Sequence, residues 1–382
     1  MEQTERGRRI MDFGIMFFSS LQPHQSAAAY RLLLEASRYA DDHGFCCVWT
    51  PERHFHPFGG LFPNPSVVGA AVAMVTRRMQ IRAGSLISPL HDVLRIAEEW
   101  SVVDNLSEGR VAVSFGSGWN IDDFVLYPER YGERQAIMYR QIEEIRDLWR
   151  GGRLSRMTSA GRSIEVEIFP RPVQRELPVW VTSSGHPETF VKAGRIGANV
   201  LTHLIGQDLG QLAGRIELYR QAYAEGGRDP LDAKVSLMLH TYLDRDMEAV
   251  RKKVREPFRE YLRSAISLER LAAEGGGVIS GGHKVAPHEI PPTAMEDLLD
   301  SAFHRYFRTA SLMGVPESCN ALVWQLHEIG VDEIACLIDF IDDVDAVIGS
   351  LALVAELCAA FGPQAGAAVR TSVADFLEDL EA

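Results

Sequence analysis

Five side chains with acid, base, charge or aromatic chemistry follow one another at residues 52–56, in the order Glu-Arg-His-Phe-His. They come directly after an apolar segment, residues 45–49, which is typical of a buried strand. An imidazole exchanges protons near neutral pH, so His54 and His56 are candidates for proton donors or hydrogen-bond partners. The alternative is a solvated loop in which the glutamate pairs with the arginine. We favour a functional loop, because packing alone does not explain five such side chains in a row.

A second candidate segment is Thr-Ser-Ser-Gly-His-Pro-Glu-Thr, residues 182–189. Pro187 suits the first turn of a helix. The residues before it would then lie at a helix N-terminus, where free backbone N–H groups and the helix dipole favour an anion such as phosphate. Ser184 could equally be an ordinary helix cap, and the segment alone leaves both interpretations open.

The third candidate segment, residues 109–120, joins an apolar run to a polar loop. The run predicts a buried strand, and Gly-Ser-Gly-Trp-Asn follows it. Glycine lets a backbone pass close to a ligand, Ser117 and Asn120 can hydrogen-bond it, and Trp119 offers a flat apolar wall. The alternative is an ordinary turn between a strand and a helix.

Eight apolar segments alternate with helical patterns along the chain, which predicts a single (β/α)₈ barrel domain over residues 1–382. An open doubly wound sheet is the alternative, but it usually carries Gly-x-Gly-x-x-Gly after strand 1, where this chain has Phe-Phe-Ser-Ser. In a barrel, the candidate segments would meet at the carboxyl ends of the strands. The predicted strands are 11–20, 45–49, 79–87, 110–115, 177–182, 198–205, 235–243 and 331–340. The predicted helices are 26–43, 66–77, 92–106, 128–150, 187–196, 209–224, 247–263, 317–329 and 343–361.

Two stretches interrupt this alternation. Residues 151–172 are irregular, and an Ile-Glu-Val-Glu-Ile alternation within them predicts a surface hairpin. Residues 264–314 are rich in glycine and proline, which predicts an insertion after strand 7 that could act as a lid over the site.

Composition limits the classes of function. The net charge of -13 argues against general nucleic-acid binding and against binding to an anionic membrane surface. The 5 cysteines form no Cys-x-x-Cys pair, so we expect no metal site. No segment has the pattern of a signal peptide or a membrane span, so we expect a cytoplasmic protein.

Two longer stretches carry a family resemblance. They are GFCCVWTPERHFHPFGGLFPNP from Gly44 and LHDVLRIAEEWSVVDNLSEGRVAVSFGSGWNIDDF from Leu90. Together they resemble the bacterial luciferase-like flavin monooxygenases, and within them the branch associated with polyketide and nonribosomal peptide biosynthesis. The resemblance implies a luciferase-like (β/α)₈ barrel with reduced FMN at the carboxyl ends of its strands.

The resemblance also implies an activity. A member of this family uses FMNH₂ and O₂, through a C4a-(hydro)peroxyflavin, to oxygenate its substrate. Here that would be the oxygenation, most simply hydroxylation, of a biosynthetic intermediate, free or bound to an acyl or peptidyl carrier protein. A separate flavin reductase and a homodimer are implied as well. The alternatives are a deazaflavin (F420)-dependent dehydrogenase and a non-catalytic flavin- or carrier-binding protein.

Site residues follow from the same resemblance. Arg53 and His54 are the implied catalytic residues, and Phe18, His56 and Trp119 the implied substrate contacts. Because Arg53 replaces a catalytic histidine of luciferase, we do not expect light emission. Because Ser117 replaces an arginine, we expect backbone and hydroxyl groups to hold most of the phosphate. The implied cofactor-binding residues are Gly84 and Ser85, through a non-proline cis peptide, with Ser117, Trp119, Asn120, Ser183, Ser184, Gly185, His186, Thr189 and His203.

One predicted helix is strongly basic. It could steer an acidic carrier protein to the barrel. Acidic residues lie three or four positions away on the same helix, so the alternative is an ordinary solvated face, which we favour. The basic residues are Arg251, Lys252, Lys253, Arg255, Arg259 and Arg263.

Overall fold

A computed structural model describes residues 11–18, 26–274 and 292–362. Eight parallel strands form a closed barrel, which confirms the predicted fold. The barrel closes because strand 333–337 pairs with strands 12–16 and 235–243. Strand 235–243 also pairs with strand 199–203. The strands are β1 Asp12–Met16, β2 Cys47–Thr50, β3 Gln80–Ile87, β4 Val111–Gly116, β5 Leu154–Met157, β6 Ser163–Val166, β7 Val179–Ser183, β8 Asn199–His203, β9 Val235–Leu243, β10 Leu312–Gly314 and β11 Glu333–Leu337.

Helices connect the barrel strands, and side-chain caps fix where several of them begin. Asn64 accepts hydrogen bonds from the first turn of α2, and Asp92 caps α3. The helices are α1 Ser26–Asp42, α2 Pro65–Ala73, α3 Val93–Leu106, α4 Arg134–Trp149, α5 Pro187–Arg195, α6 Leu209–Glu225, α7 Met247–Glu274, α8 Pro292–Thr309, α9 Pro316–Glu328 and α10 Val344–Ala360. No helix in the described part of the chain is long and apolar enough to cross a membrane.

The barrel interior contains a buried ion pair at the amino ends of its strands. Arg82 on β3 donates to both carboxylate oxygens of Glu333 on β11, at 2.9 and 2.8 Å. The guanidinium lies over the rings of Trp49 and Trp180, at 4.7 and 4.3 Å from their centroids. This pair joins β3 to β11 across the barrel interior, at the end away from the candidate site.

The prediction of one helix over residues 128–150 was wrong at its start. The structure has 3₁₀ turns at 121–126 and 128–130, and α4 begins only at Arg134. Pro128 and Gly132 account for the delay, since neither favours the interior of an α-helix. Residues 154–166 form an antiparallel hairpin, β5 with β6, outside the barrel.

The helix after strand 7 was predicted to end at residue 263, before the insertion at 264–314, and that end was wrong. Helix α7 continues past residue 263 to Glu274, α8 follows, and β10 adds a parallel strand to β9. Residues 264–274 contain neither glycine nor proline and are rich in helix formers, which explains the longer helix. The glycine-rich part of the prediction falls in 275–291, outside the described residues, and the lid remains a prediction.

Candidate active site

A cavity of about 260 Å³ lies at the carboxyl ends of the barrel strands. A second recess adjoins it and shares part of its lining. The predicted residues that line the cavity are Phe18, Arg53, Gly84, Ser85, Ser117, Trp119, Ser184 and His203. The recess adds Ser183, Gly185, His186 and Thr189. Three candidate segments far apart in sequence are therefore brought together.

His54, His56 and Asn120 line neither space. Nε2 of His54 lies 2.8 Å from an oxygen of Glu52. Nδ1 of His56 accepts the backbone N–H of Phe58 at 3.0 Å. The side chain of Asn120 caps the following 3₁₀ turn. In this arrangement all three hold the loops that carry the lining residues, and any direct role in chemistry remains a prediction.

Arg53 is buried at the cavity wall, with 4% of its surface exposed. Its Nη1 lies 3.4 Å from Oδ2 of Asp123, and its guanidinium carbon lies 5.6 and 5.1 Å from the ring centroids of Phe18 and Trp119. Burial lowers the pKa of Arg53, while the Asp123 carboxylate opposes that shift. The alternative of a solvated loop is wrong, because Arg53 is enclosed and its ionic partner is not the neighbouring glutamate.

Glu52 is the centre of a buried hydrogen-bond network that also includes His91. Its carboxylate accepts the backbone N–H of Ile87 at 2.7 Å and contacts Nε2 of His54 and of His91, the latter at 2.5 Å. Burial would raise the pKa of Glu52, but the hydrogen bonds from the two histidines outweigh it and the pKa is lowered. Burial likewise opposes the charged form of His91, yet the bond to Glu52 leaves its pKa raised.

Sequence reasoning missed His91. The signal was available, since this residue follows the end of β3 by four positions, where barrel enzymes place functional side chains.

A wall of backbone and hydroxyl groups forms another part of the cavity lining. The Gly84–Ser85 peptide is cis, as the resemblance implied. Ser85 Oγ lies 2.5 Å from Thr182 Oγ1, which also lies 2.7 Å from Ser114 Oγ. A Cβ on Gly84 would stand 2.9 Å from the Trp49 ring, so only glycine fits without rearrangement.

His203 ends β8 as a neutral imidazole. Its Nδ1 accepts the backbone N–H of Ile205 at 3.1 Å, so the ring hydrogen is assigned to Nε2. Burial lowers the pKa of His203 to about 4. At neutral pH this side chain is a hydrogen-bond donor in the cavity wall and carries no charge.

The recess has the features of an anion site. Helix α5 begins at Pro187, and His186 is the N-cap residue but makes no side-chain capping bond. The interpretation of Ser184 as the cap is therefore wrong. Gly185 has φ +94°, and a Cβ there would stand 2.9 Å from Nη1 of Arg215. Glycine thus lets the turn approach both the arginine and a bound ligand.

Three cations line this recess that sequence reasoning missed: Arg134, Lys192 and Arg215. They lie on α4, α5 and α6, so no local motif connects them. Arg134 donates to the carbonyl of Gly118 at 2.8 Å, and Lys192 lies 2.8 Å from Glu188. The recess therefore offers cationic groups in addition to the backbone and hydroxyl groups that the sequence predicted.

His240 on β9 provides a test of how burial changes the pKa of a histidine and the stability of the protein. Burial lowers its pKa to about 3, and nearby His203 adds to the shift. The unfolded chain therefore binds this proton below about pH 6.5 while the folded protein does not, so stability is lost as pH falls from 6.5 towards 3. Between pH 7 and pH 5 we expect His240 to cost about 2 kcal/mol of unfolding free energy.

Urea denaturation of His240→Leu measures this cost. The variant should lose about 2 kcal/mol less than the wild type between these pH values. His43→Leu, at an exposed position, is the matched control variant. Equal pH dependences of His240→Leu and the wild type would contradict the assignment.

Comparisons with known proteins bear on the family and the fold. The sequence profile of the luciferase-like monooxygenases matches residues 11–333. The alkanal monooxygenase alpha chain of Photorhabdus luminescens is 22% identical over 353 residues, 90% of this chain and 94% of the relative.

Two solved structures share the fold over nearly the whole chain. The monooxygenase RslO1 from Streptomyces bottropensis has a TM-score of 0.74 at 23% identity, covering 91% of this chain and 98% of the other. The oxygenating constituent of 3,6-diketocamphane monooxygenase from Pseudomonas putida, in complex with FMN, has a TM-score of 0.71 at 17% identity, covering 92% and 98%. With its confirmed barrel and the profile match over most of its length, the chain belongs to the luciferase-like monooxygenase family and is an oxidoreductase of that class.

Proposed function

We propose that this protein is the oxygenase of a two-component system, using FMNH₂ from a separate flavin reductase and O₂ to oxygenate an organic substrate. The observation that carries the proposal is the continuity of the cavity with the cation-lined recess, which share part of their lining. A flat heteroaromatic ring and an anionic tail joined in one molecule match these two spaces. The oxygenating constituent from Pseudomonas putida, with the same fold, binds FMN.

The residues fit FMN as follows. Gly84, Ser85 and His203 would lie beside the ring system, with Ser117 and Trp119 between ring and tail. The phosphate would be held by the recess. Reduced FMN supplies the electrons with which O₂ is activated. The recess residues assigned to the phosphate are Ser183, Ser184, Gly185, His186, Thr189, Lys192 and Arg215.

The remaining side chains control water, orientation and protons. Phe18 and Trp119 pack near the Arg53 guanidinium, which is buried, and so limit the access of water to it. Arg53 donates hydrogen bonds to oxygen atoms of the reacting groups. The Glu52 carboxylate links His54 to His91, and His91 is partly exposed. This network can hold a proton near the cavity and exchange it with solvent.

A titration with FMN, FMNH₂ and F420 tests the proposal, followed by measurement of O₂ uptake. We expect FMN to bind and the reduced complex to consume O₂. Binding of F420 without O₂ uptake would favour the dehydrogenase alternative. Binding of FMN with no oxygen reaction beyond that of free FMNH₂ would favour a non-catalytic flavin-binding protein.

Arg53 and His54 should affect the oxygen reaction more than flavin binding. In Arg53→Met and His54→Ala we expect FMN affinity to stay within about 3-fold of wild type, because neither side chain reaches the anion recess. Loss of Arg53 should speed oxidation of bound FMNH₂ to FMN and H₂O₂ by at least about 10-fold, because the donor to the reacting oxygens is gone. Stopped-flow absorbance and a peroxide assay measure both quantities.

Arg95→Met is the matched control, since Arg95 is exposed on α3. It should oxidise bound FMNH₂ at the wild-type rate. If all three variants behave as wild type, the loop at 52–56 has no part in the oxygen reaction.

The finer substrate proposal is an intermediate of polyketide or nonribosomal peptide biosynthesis, free or on a carrier protein. The basic face of α7 gives little support for carrier docking, because acidic groups on α8 compensate it. Arg255 pairs with Asp300, and Arg259 and Arg263 both pair with Glu296. Comparing turnover of carrier-bound and free substrate across salt concentrations, with Arg255→Glu and Arg259→Glu combined, tests this part.

A homodimer is also part of the proposal. Helices α2 and α3 pack together and expose large apolar side chains, which is typical of a surface that binds another protein. The exposed residues are Val67, Met74, Val102 and Leu106. Light scattering of the purified protein tests whether it is a dimer.

A further inference from the structure

The lining of the cavity falls into two groups of residues. The wall with Ser85 and Thr182 continues into the anion recess, which shares Thr182 and Ser184. A second group, which we call the aromatic pocket, consists of Phe18, Arg53, Phe58 and Tyr261 and does not border the recess. Under the proposed function the flavin occupies the wall and recess, so the aromatic pocket is left for the substrate.

Tyr261 enters this pocket from α7 and not from a strand end. The residue is 4% exposed, and its hydroxyl has no hydrogen-bond partner among the described residues. The hydroxyl is also not among the polar atoms sealed off by protein, so it opens to the cavity. Burial raises the pKa of Tyr261, which keeps the O–H protonated and able to donate.

Neighbouring rings fix the direction of this hydroxyl. The Tyr261 ring stands edge-on to Phe58 at 5.0 Å and to His240 at 4.4 Å, and it is parallel to Phe258 at 6.1 Å. Aromatic contacts of this kind restrict a side chain to one orientation. The donor is therefore pre-organised before any ligand arrives.

Arg53 adds further donors to the same pocket. Among the described residues only its Nη1 has a side-chain hydrogen-bond partner, Asp123, so Nη2 of the guanidinium is left to donate into the pocket. The acceptors of Glu52 nearby are already occupied by its histidines and a backbone N–H. The Tyr261 hydroxyl and Nη2 of Arg53 therefore have no acceptor among the described residues, and a ligand with an acceptor oxygen would supply one.

The charge of that acceptor can be inferred as well. Asp123 already compensates Arg53, and Asp339 lies close enough to interact with Tyr261. A carboxylate on the ligand would add an anion beside these two. A neutral carbonyl accepts the same hydrogen bonds without that repulsion.

We propose that Tyr261 is a substrate-binding residue, and that it and Arg53 together bind a neutral carbonyl oxygen on an apolar, ring-sized substrate. This inference rests on the proposed function for the place of the flavin. It extends that function by naming a residue on α7 and the chemical class of the group that it recognises.

Ligand binding to the FMN-loaded protein tests the inference without any need for turnover. The probes are acetophenone, its isostere α-methylstyrene, which has CH₂ in place of the oxygen, and benzoate as the anionic analogue. Calorimetry should show acetophenone binding at least about 10-fold more tightly than α-methylstyrene, the effect of two hydrogen bonds. Benzoate should bind more weakly than acetophenone.

Tyr261→Phe removes only the hydroxyl, so it should weaken acetophenone binding by about 5-fold and leave α-methylstyrene unchanged. The ratio of the acetophenone affinity to the α-methylstyrene affinity therefore falls. Arg53→Met should reduce this ratio as well and provides a second variant. Tyr306→Phe is the matched control, because Tyr306 packs against the other side of Phe258 outside the cavity lining. It should keep the wild-type ratio.

Equal affinities of acetophenone and α-methylstyrene in the wild type would overturn the inference. So would a ratio that survives in both Tyr261→Phe and Arg53→Met, and tighter binding of benzoate would overturn the neutral acceptor. Failure of FMN to bind would instead count against the proposed function. In that case the same probe ratio, measured on the cofactor-free protein, still decides the role of Tyr261.

Discussion

Replacing Glu333 by alanine is expected to lower the free energy of unfolding by about 3–5 kcal/mol, the largest effect on stability that we predict. The variant leaves the guanidinium of Arg82 charged and without its carboxylate in the barrel interior. Trp49 Nε1, which donates to the same carboxylate at 3.2 Å, loses its acceptor as well. Urea denaturation followed by tryptophan fluorescence measures the loss.

The double variant Arg82→Met with Glu333→Leu separates the value of the pair from the cost of breaking it. It removes both charges and keeps apolar volume, so it should recover most of the stability lost by Glu333→Ala. Removing an exposed pair such as Arg31 with Glu35 should shift the urea midpoint far less than Glu333→Ala does. A Glu333→Ala protein as stable as wild type would show that water or another group compensates Arg82.

Gly185→Val should raise the dissociation constant of FMN by about 100-fold, the largest effect on ligand binding that we predict. Valine would place a Cβ against Arg215 and Gln207, at 2.9 and 3.2 Å in the present arrangement. It would therefore displace a cation of the recess and fill the space that the phosphate needs. Fluorescence quenching during an FMN titration measures the change.

Gly227→Val is the control for backbone strain. Gly227 has a similar positive φ of +74°, but no atom lies within 4 Å of a Cβ built there. Both variants should lose a comparable amount of stability from the left-handed backbone, about 1–2 kcal/mol. Only Gly185→Val should lose FMN. If a folded Gly185→Val protein keeps wild-type affinity, the phosphate does not bind at this turn.

The sequence was sufficient to predict the barrel and most of the lining of the site. Apolar strand segments alternate with helical periodicity, and this pattern depends only on local residue order. In a parallel barrel all strands end at one face, so Arg53, Ser85, Ser117 and His203 could be placed together from their positions after strands. The errors fell where local composition misled, as in the glycine and proline content that hid the true end of α7.

Only the tertiary structure decided which partner each of these side chains meets. Arg53 pairs with Asp123 and not with its neighbour in sequence, and Glu52 binds His91 across 39 positions. The cations of the recess lie on three different helices, and Tyr261 reaches the cavity from a helix that looked like a solvated basic face. Local periodicity determines which elements form. Contacts between side chains that are distant in sequence depend on how those elements pack, and the distances between them cannot be read from a single sequence.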